Sequence, residues 1–216
     1  ICLTGSIATV QLFNRVRASF SYRRFGWIAL TSVGAGTMVW ATHFVAMMAF
    51  RTTAPVILDP ILTLSSLLAV IGIAMPGLAL AAHRRRWAGA LGGAVIGLGI
   101  TVMHYIGMSA YRVDGIVTWN WNYVAASALL SSGLAALSFH VLTGRNAWRN
   151  ANAVSLLSAA VAALHFPGMT AMSITVLKLG HGLSDLTMVT LATTTTVATG
   201  SIVGCAAISA LIDGHT

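Results

Sequence analysis

A histidine followed four residues later by a methionine occurs three times at one interval: His43 with Met47, His104 with Met108, and His165 with Met169. Successive histidines stand 61 residues apart. Each copy has an aromatic residue directly after the histidine (Phe44, Tyr105, Phe166). Each also has a small residue three positions after it (Ala46, Gly107, Gly168) and an alanine six after it (Ala49, Ala110, Ala171). With seven histidines and nine methionines in 216 residues, chance predicts well under one such pair, so the pattern marks a repeated unit with a repeated site. Imidazole and thioether are borderline-to-soft donors. A set of them with neither carboxylate nor thiolate disfavours calcium, magnesium and iron–sulfur clusters. It suits copper, Cu(I) in particular, with haem held by His/Met ligation the less favoured alternative. Met103, Met48, Met172 and Trp40 lie near the motifs at positions that do not repeat, and are secondary candidates.

Residues i and i+4 share one face of an α-helix. Three helices around one axis therefore bring three imidazoles, and up to three thioethers, together. The small residue one position before each methionine permits close helix approach. A single membrane histidine is more often a hydrogen-bonded packing residue, and a single methionine a gap filler. Three matched pairs at one depth point instead to a site, because polar groups inside a bilayer are costly.

The elements that must position these residues are transmembrane. Apolar residues make up 57% of the chain and charged residues 7%, and mean hydropathy is +0.85. Apolar runs of about 20 residues are the signature of membrane-spanning helices. The formal charge of +8 comes from short clusters between these runs, which argues for topology signals and against nucleic-acid binding. Arg15, Arg17, Arg23 and Arg24 form one cluster, Arg84, Arg85 and Arg86 a second, and Arg145 with Arg149 a third. They occupy alternate loops, which the positive-inside rule makes cytoplasmic; anionic lipid headgroups are their simplest partners. The expected fold is an all-α membrane protein with helices over 1–14, 27–50, 60–82, 88–110, 123–143, 151–176 and 185–211. One leading helix is followed by three helical hairpins of about 61 residues, with the N-terminus outside and the C-terminus cytoplasmic. Trp27, Trp87 and Trp148 mark the cytoplasmic starts of helices 2, 4 and 6, and the histidines fall about two turns below the outer ends. Cys2 and Cys205 lie in apolar stretches near opposite ends and read as membrane-core residues. A first residue other than Met reads as a piece of a longer protein.

At these residues the chain resembles the MHYT domain, a bacterial integral-membrane sensory domain named for a repeated Met-His-Tyr-Thr segment. The likeness covers residues 1–212, leaving 213–216 as the start of a cytoplasmic linker to an output domain. The motif reads Thr42-His43-Phe44-Val45, Met103-His104-Tyr105-Ile106 and Leu164-His165-Phe166-Pro167, and the family's later Gly-Met and alanine appear as Gly107, Met108 and Ala110. The resemblance implies a multi-pass sensor in the bacterial inner membrane, binding a diatomic gas (O2, CO or NO) through copper or reporting copper and redox state. It also implies a cytoplasmic signalling domain in the same chain, commonly one that makes or degrades cyclic di-GMP. Catalysis then falls to that output domain and not to this segment.

Two other classes compete. A copper transporter or channel needs ligands spread over several depths, whereas these share one. A haem or copper oxidoreductase needs a substrate site, and no motif supplies one. A retinal receptor needs a lysine deep in a span, and the only lysine, Lys178, lies near an outer loop. Gly200-x-x-x-Gly204 in the last span offers a packing contact within the monomer or across a homodimer.

Overall fold

The computed structural model describes residues 1–48, 56–85, 87–113, 115–144 and 147–176, together with Thr193, Val197, Gly200, Ser201 and Gly204. Six helices form over the first six apolar runs: α1 (Cys2–Ala18), α2 (Ser21–Met48), α3 (Pro60–Ala81), α4 (Ala88–Ser109), α5 (Trp121–Thr143) and α6 (Arg149–Thr170). All but α1 are long and apolar enough to cross a bilayer, making this a multi-pass membrane protein. With 28 residues, α2 is about 42 Å long and exceeds the roughly 30 Å hydrocarbon core. The expected seventh helix over 185–211, with its Gly200/Gly204 contact, lies almost wholly outside the described residues; the five described there are helical.

Three boundaries differ from expectation. Helix α1 runs on to Ala18, through Arg15 and Arg17 in its last turn, where cations complement the helix dipole. Helix α2 starts at Ser21, so Arg23 and Arg24 lie within it. Helix α6 ends at Thr170 and not at 176, because Met172–Val176 leaves as a strand rich in β-branched residues.

That strand belongs to a feature the all-α reading did not contain: two short ribbons at one end of the bundle. Strand β1 (Val56–Leu58) pairs antiparallel with β2 (Tyr111–Val113), and β3 (Gly115–Trp119) with β4 (Met172–Val176). Each ribbon continues into a helix cap. The Asp59 amide donates to the Ala110 carbonyl at 2.9 Å, and the Asn120 amide to the Ala171 carbonyl at 2.8 Å. Asp59 and Asn120 are the N-caps of α3 and α5. Ala110 and Ala171, the alanines six residues after His104 and His165, are fully buried at the ends of α4 and α6. Ala49 lies outside the described residues.

Asp59 also accepts from the Ile61 and Leu62 amides at 3.0 and 3.2 Å and pairs with Arg112 at 3.2 Å. The Leu62 amide, followed by the Arg112 side chain, holds its carboxyl below the ordinary value. A carboxyl depressed by folding stabilises the fold above its unfolded pKa and loses that effect as pH falls through the folded value. Asp59→Ala should therefore melt below the parent at neutral pH. The gap between the two melting curves should close as pH is taken below 3.8.

Packing sets which helices are inner. Neighbours run in sequence from α1 to α6, α1 closes against α6, and α4 also meets α2 and α6. Glycine lets α4 sit there: a methyl at Gly92 would strike the Ala81 amide of α3, and one at Gly93 the Ala135 carbonyl of α5. At the opposite end from the ribbons, the Arg17 guanidinium donates to the Leu142 carbonyl at 3.4 Å, drawing α1 onto α5.

Candidate metal centre

Helices α2, α4 and α6 carry His43, His104 and His165, and their contacts bring all three imidazoles together. One ring nitrogen from each residue lies within 4.8 Å of the others. The His43 and His104 ring centroids are 4.8 Å apart, and that of His165 lies 5.6 Å from each. His43 and His104 are buried and His165 is half-buried.

The seats of two imidazoles explain two of the small residues three positions after the histidines, Gly107 and Gly168. A Cβ at Gly107 of α4 would stand 2.7 Å from His43 Nε2, and a Cβ at Gly168 of α6 would fall on His104 Nε2. Each of these imidazoles thus rests on the bare backbone of the next motif-bearing helix. The spacing that reads in sequence as close helix approach is, in space, the floor of the site.

Hydrogen bonding leaves the pair under-satisfied. His104 Nδ1 and His43 Nδ1 are 3.1 Å apart, so one ring carries its proton on Nδ1 and donates while the other accepts. In the neutral pair the donor then has a bare Nε2 and the acceptor an Nε2–H. Neither Nε2 has a hydrogen-bond partner among the described residues. An unpaired buried polar group costs about 1–3 kcal/mol, and two such nitrogens in one histidine cluster are a cost that a bound ion would relieve. Three nitrogens bound to one ion at about 2.0–2.1 Å stand roughly 3.4 Å apart in tetrahedral geometry. The donor set fits a soft or borderline ion.

Beside the triad lies a cavity of about 220 Å³. It extends toward the N-terminal side of the three helices, as expected where helical side chains lean back over the preceding turn. Thr42, Met103 and Leu164, the residues directly before the histidines, all line it. Of the thioethers expected at the site, Met103 is thus placed on the cavity wall, although its position does not repeat. Met47 and Met108 are buried and Met169 is half-buried, one turn beyond the histidines, and none lines the cavity. Met172 is buried in β4, off the face of α6. The side chain of Met48 lies outside the described residues.

Trp40 turns away from the cavity. Its indole N–H donates to the Thr63 carbonyl and the Ser66 hydroxyl of α3, both at 3.1 Å, and its ring meets Phe44 edge-on at 5.2 Å. Trp40→Phe should cost about 1 kcal/mol through these bonds and leave metal occupancy unchanged, as a melting curve and metal analysis of one preparation would establish. The aromatic after each histidine has no common task. Phe44 is buried, the Tyr105 hydroxyl bonds Ser127 at 2.7 Å, and Phe166 is exposed on the cavity rim. The sequence reading missed Cys2 as a cavity residue. It stands outside the repeat, and no spacing could have flagged it.

Comparison with known proteins adds an independent line. The family model MHYT, described as a bacterial signalling protein N-terminal repeat, matches residues 36–94 and 97–154. An uncharacterized signaling protein of Caulobacter vibrioides is 37% identical over 176 residues, covering 81% of this chain and 22% of the relative. The cyclic di-GMP phosphodiesterase NbdA of Pseudomonas aeruginosa is 36% identical, over 81% of this chain and 23% of its own length. The bifunctional diguanylate cyclase/cyclic di-GMP phosphodiesterase MucR of the same organism is 28% identical, over 79% and 26%. The chain thus spans about a quarter of the length of these relatives. No solved structure matches it.

Proposed function

The chain belongs to the MHYT family, and from that premise we propose that it is the membrane sensor of a longer signalling protein, holding copper on His43, His104 and His165. The observation that carries the reading is the meeting of three imidazoles from three helices, two of them buried with an unpartnered nitrogen. Neutral nitrogen donors favour copper, and Cu(I) above all. Bound copper of this kind supplies an open position for O2, CO or NO. The cavity beside it is below the roughly 300–1,000 Å³ of drug-sized ligand sites, which favours a bare ion and a small ligand over haem. Met47, Met108 and Met169 remain candidate ligands from one turn outward, and Met103 from the cavity wall.

In this reading the helices follow the positive-inside order, with the N-terminus outside, seven spans in three repeated hairpins after a leading helix, and the C-terminus in the cytoplasm. The membrane is the bacterial inner membrane. Signalling relatives that turn over cyclic di-GMP support an output domain of that kind in the same polypeptide. The segment itself senses and relays, and catalysis belongs to the output domain. Two copies packed through the last span would suit such an output.

The test is metal analysis by mass spectrometry on protein purified without a metal-affinity step, beside a variant with all three histidines changed to alanine. Copper near one equivalent in the parent, lost in a still-folded variant, is the expected result. Carbon monoxide added to the Cu(I) form should then give a bound C–O stretch in the infrared. A parent that retains no copper even after anaerobic Cu(I) reconstitution would overturn the reading.

A further inference from the structure

We propose that Cys2 is the anionic partner of the histidine centre: a thiol that gives up its proton when copper occupies the site and brings a thiolate to the ion. The inference rests on the copper reading above and adds to it a residue from outside the repeat. Cys2, at the start of α1, lines the same cavity as His43, His104 and His165. His43 and His104 are more than nine-tenths buried, and each has an Nε2 with no hydrogen-bond partner among the described residues, an observation on the cavity's lining residues that is independent of the cysteine.

Charge makes the argument. Copper held by three neutral imidazoles carries its full +1 or +2 into the membrane interior. An uncompensated charge in such surroundings is expensive, and proteins pair it. No aspartate or glutamate is among the described residues that line the cavity. Among the described residues the only side-chain carboxylate is Asp59, held by Arg112 at the ribbon end. The remaining walls are apolar or neutral, with Met103 and the Thr42 hydroxyl as their most polar members, and that hydroxyl already donates to the Met38 carbonyl at 2.9 Å. Cys2 alone among the described lining residues can become an anion by losing a proton. A thiol that meets a metal ion is deprotonated outright.

Its present bonding leaves it ready to move. The thiol donates to the Ser158 carbonyl of α6 at 4.0 Å, a long and weak bond for a weak donor. Its sulfur is not among the atoms that lie within 4.8 Å of one another, so it joins them only by moving. In that step the S–H bond breaks, a copper–sulfur bond forms and the proton leaves to solvent. The oxidation state of copper does not change.

The experiment uses the whole chain with Cys205→Ser, so that Cys2 is the sole thiol. Cu(I) is added anaerobically from a buffered complex and alkylation by N-ethylmaleimide is timed. Copper should slow alkylation of Cys2 by about tenfold or more, since the reactive thiolate is engaged. The parent should release one more proton per copper than Cys2→Ser, and Cu(II) should give a visible thiolate charge-transfer band that Cys2→Ser lacks. Timing alkylation on the native thiol needs no variant at position 2, so misfolding of Cys2→Ser cannot mask the answer. Copper retained through the histidines with unprotected Cys2 and equal proton counts overturns this inference and leaves the copper reading standing. Copper retained by neither protein overturns both.

Discussion

Copper raises the melting temperature of the parent and not that of His104→Ala. This result is expected because His104 is the most deeply buried ring of the triad. It sits on the innermost helix, is 1% exposed, touches His43 through the 3.1 Å Nδ1 contact and faces His165 at 5.6 Å. Its loss removes one of three ring donors and the group that orients a second. Losing only an outer-shell partner already costs about 10–100-fold in metal affinity, so loss of a direct ligand should cost at least the upper figure. At a copper concentration 100-fold above the parent's Kd, binding stabilises the fold by about 2.7 kcal/mol, and nearly all of that should vanish in the variant. Before copper is added the variant should already melt below the parent, so the copper-induced shift is the decisive quantity. The variant gains a cavity, which costs about 2–5 kcal/mol in large-to-alanine changes, and leaves His43 Nδ1 without its partner, while it sheds one unpaired nitrogen worth about 1–3 kcal/mol. A variant that copper raises as much as it raises the parent would make His104 a packing residue. Differential scanning calorimetry with and without Cu(I) decides between the two.

The histidine site was legible in the sequence because its parts repeat. The 61-residue interval, the i, i+4 pairing and the shared depth place three imidazoles on three helices, and the helices form where the apolar runs lie. The ribbons were not legible. Their strands are three to five residues long, and their partners, such as Gly115 and Val176, are paired by the helices between them and not by local pattern. The same reason explains why α6 was read as running to 176. A run of Ser173, Ile174, Thr175 and Val176 continues the apolar signal while its partner strand converts it to β. Periodicity also placed Met47, Met108 and Met169 on the histidine face without saying where on that face the open volume lies. Helical side chains lean toward the preceding turn, so the cavity opens beside Thr42, Met103 and Leu164. Cys2 reaches it only because α1 closes against both α2 and α6, a fact of topology with no trace in local spacing.

The glycines three residues after His104 and His165 give the second large effect, and its sign runs against helix propensity. Alanine in place of a helical glycine ordinarily stabilises by up to about 1 kcal/mol. Gly133 of α5 is the ordinary case: it is helical, exposed, and an added Cβ meets nothing within 4 Å. Gly133→Ala should melt at or slightly above the parent and bind copper as the parent does. Gly168 of α6 is the opposite case, because its Cβ falls on His104 Nε2, and that imidazole is fully buried and linked to His43. Overpacking of this kind costs about 1–3 kcal/mol, which exceeds the propensity gain. The imidazole must also move, which spoils the geometry that three ligands require. Gly168→Ala should therefore lower the melting temperature and reduce copper occupancy together. Gly107→Ala should do the same through His43, where the added Cβ would stand 2.7 Å from Nε2. A Gly168→Ala protein that melts like Gly133→Ala and keeps its copper would show that His104 is free to relax off its seat. The glycine would then serve helix packing alone, and the site would owe its geometry to the histidines without their floor.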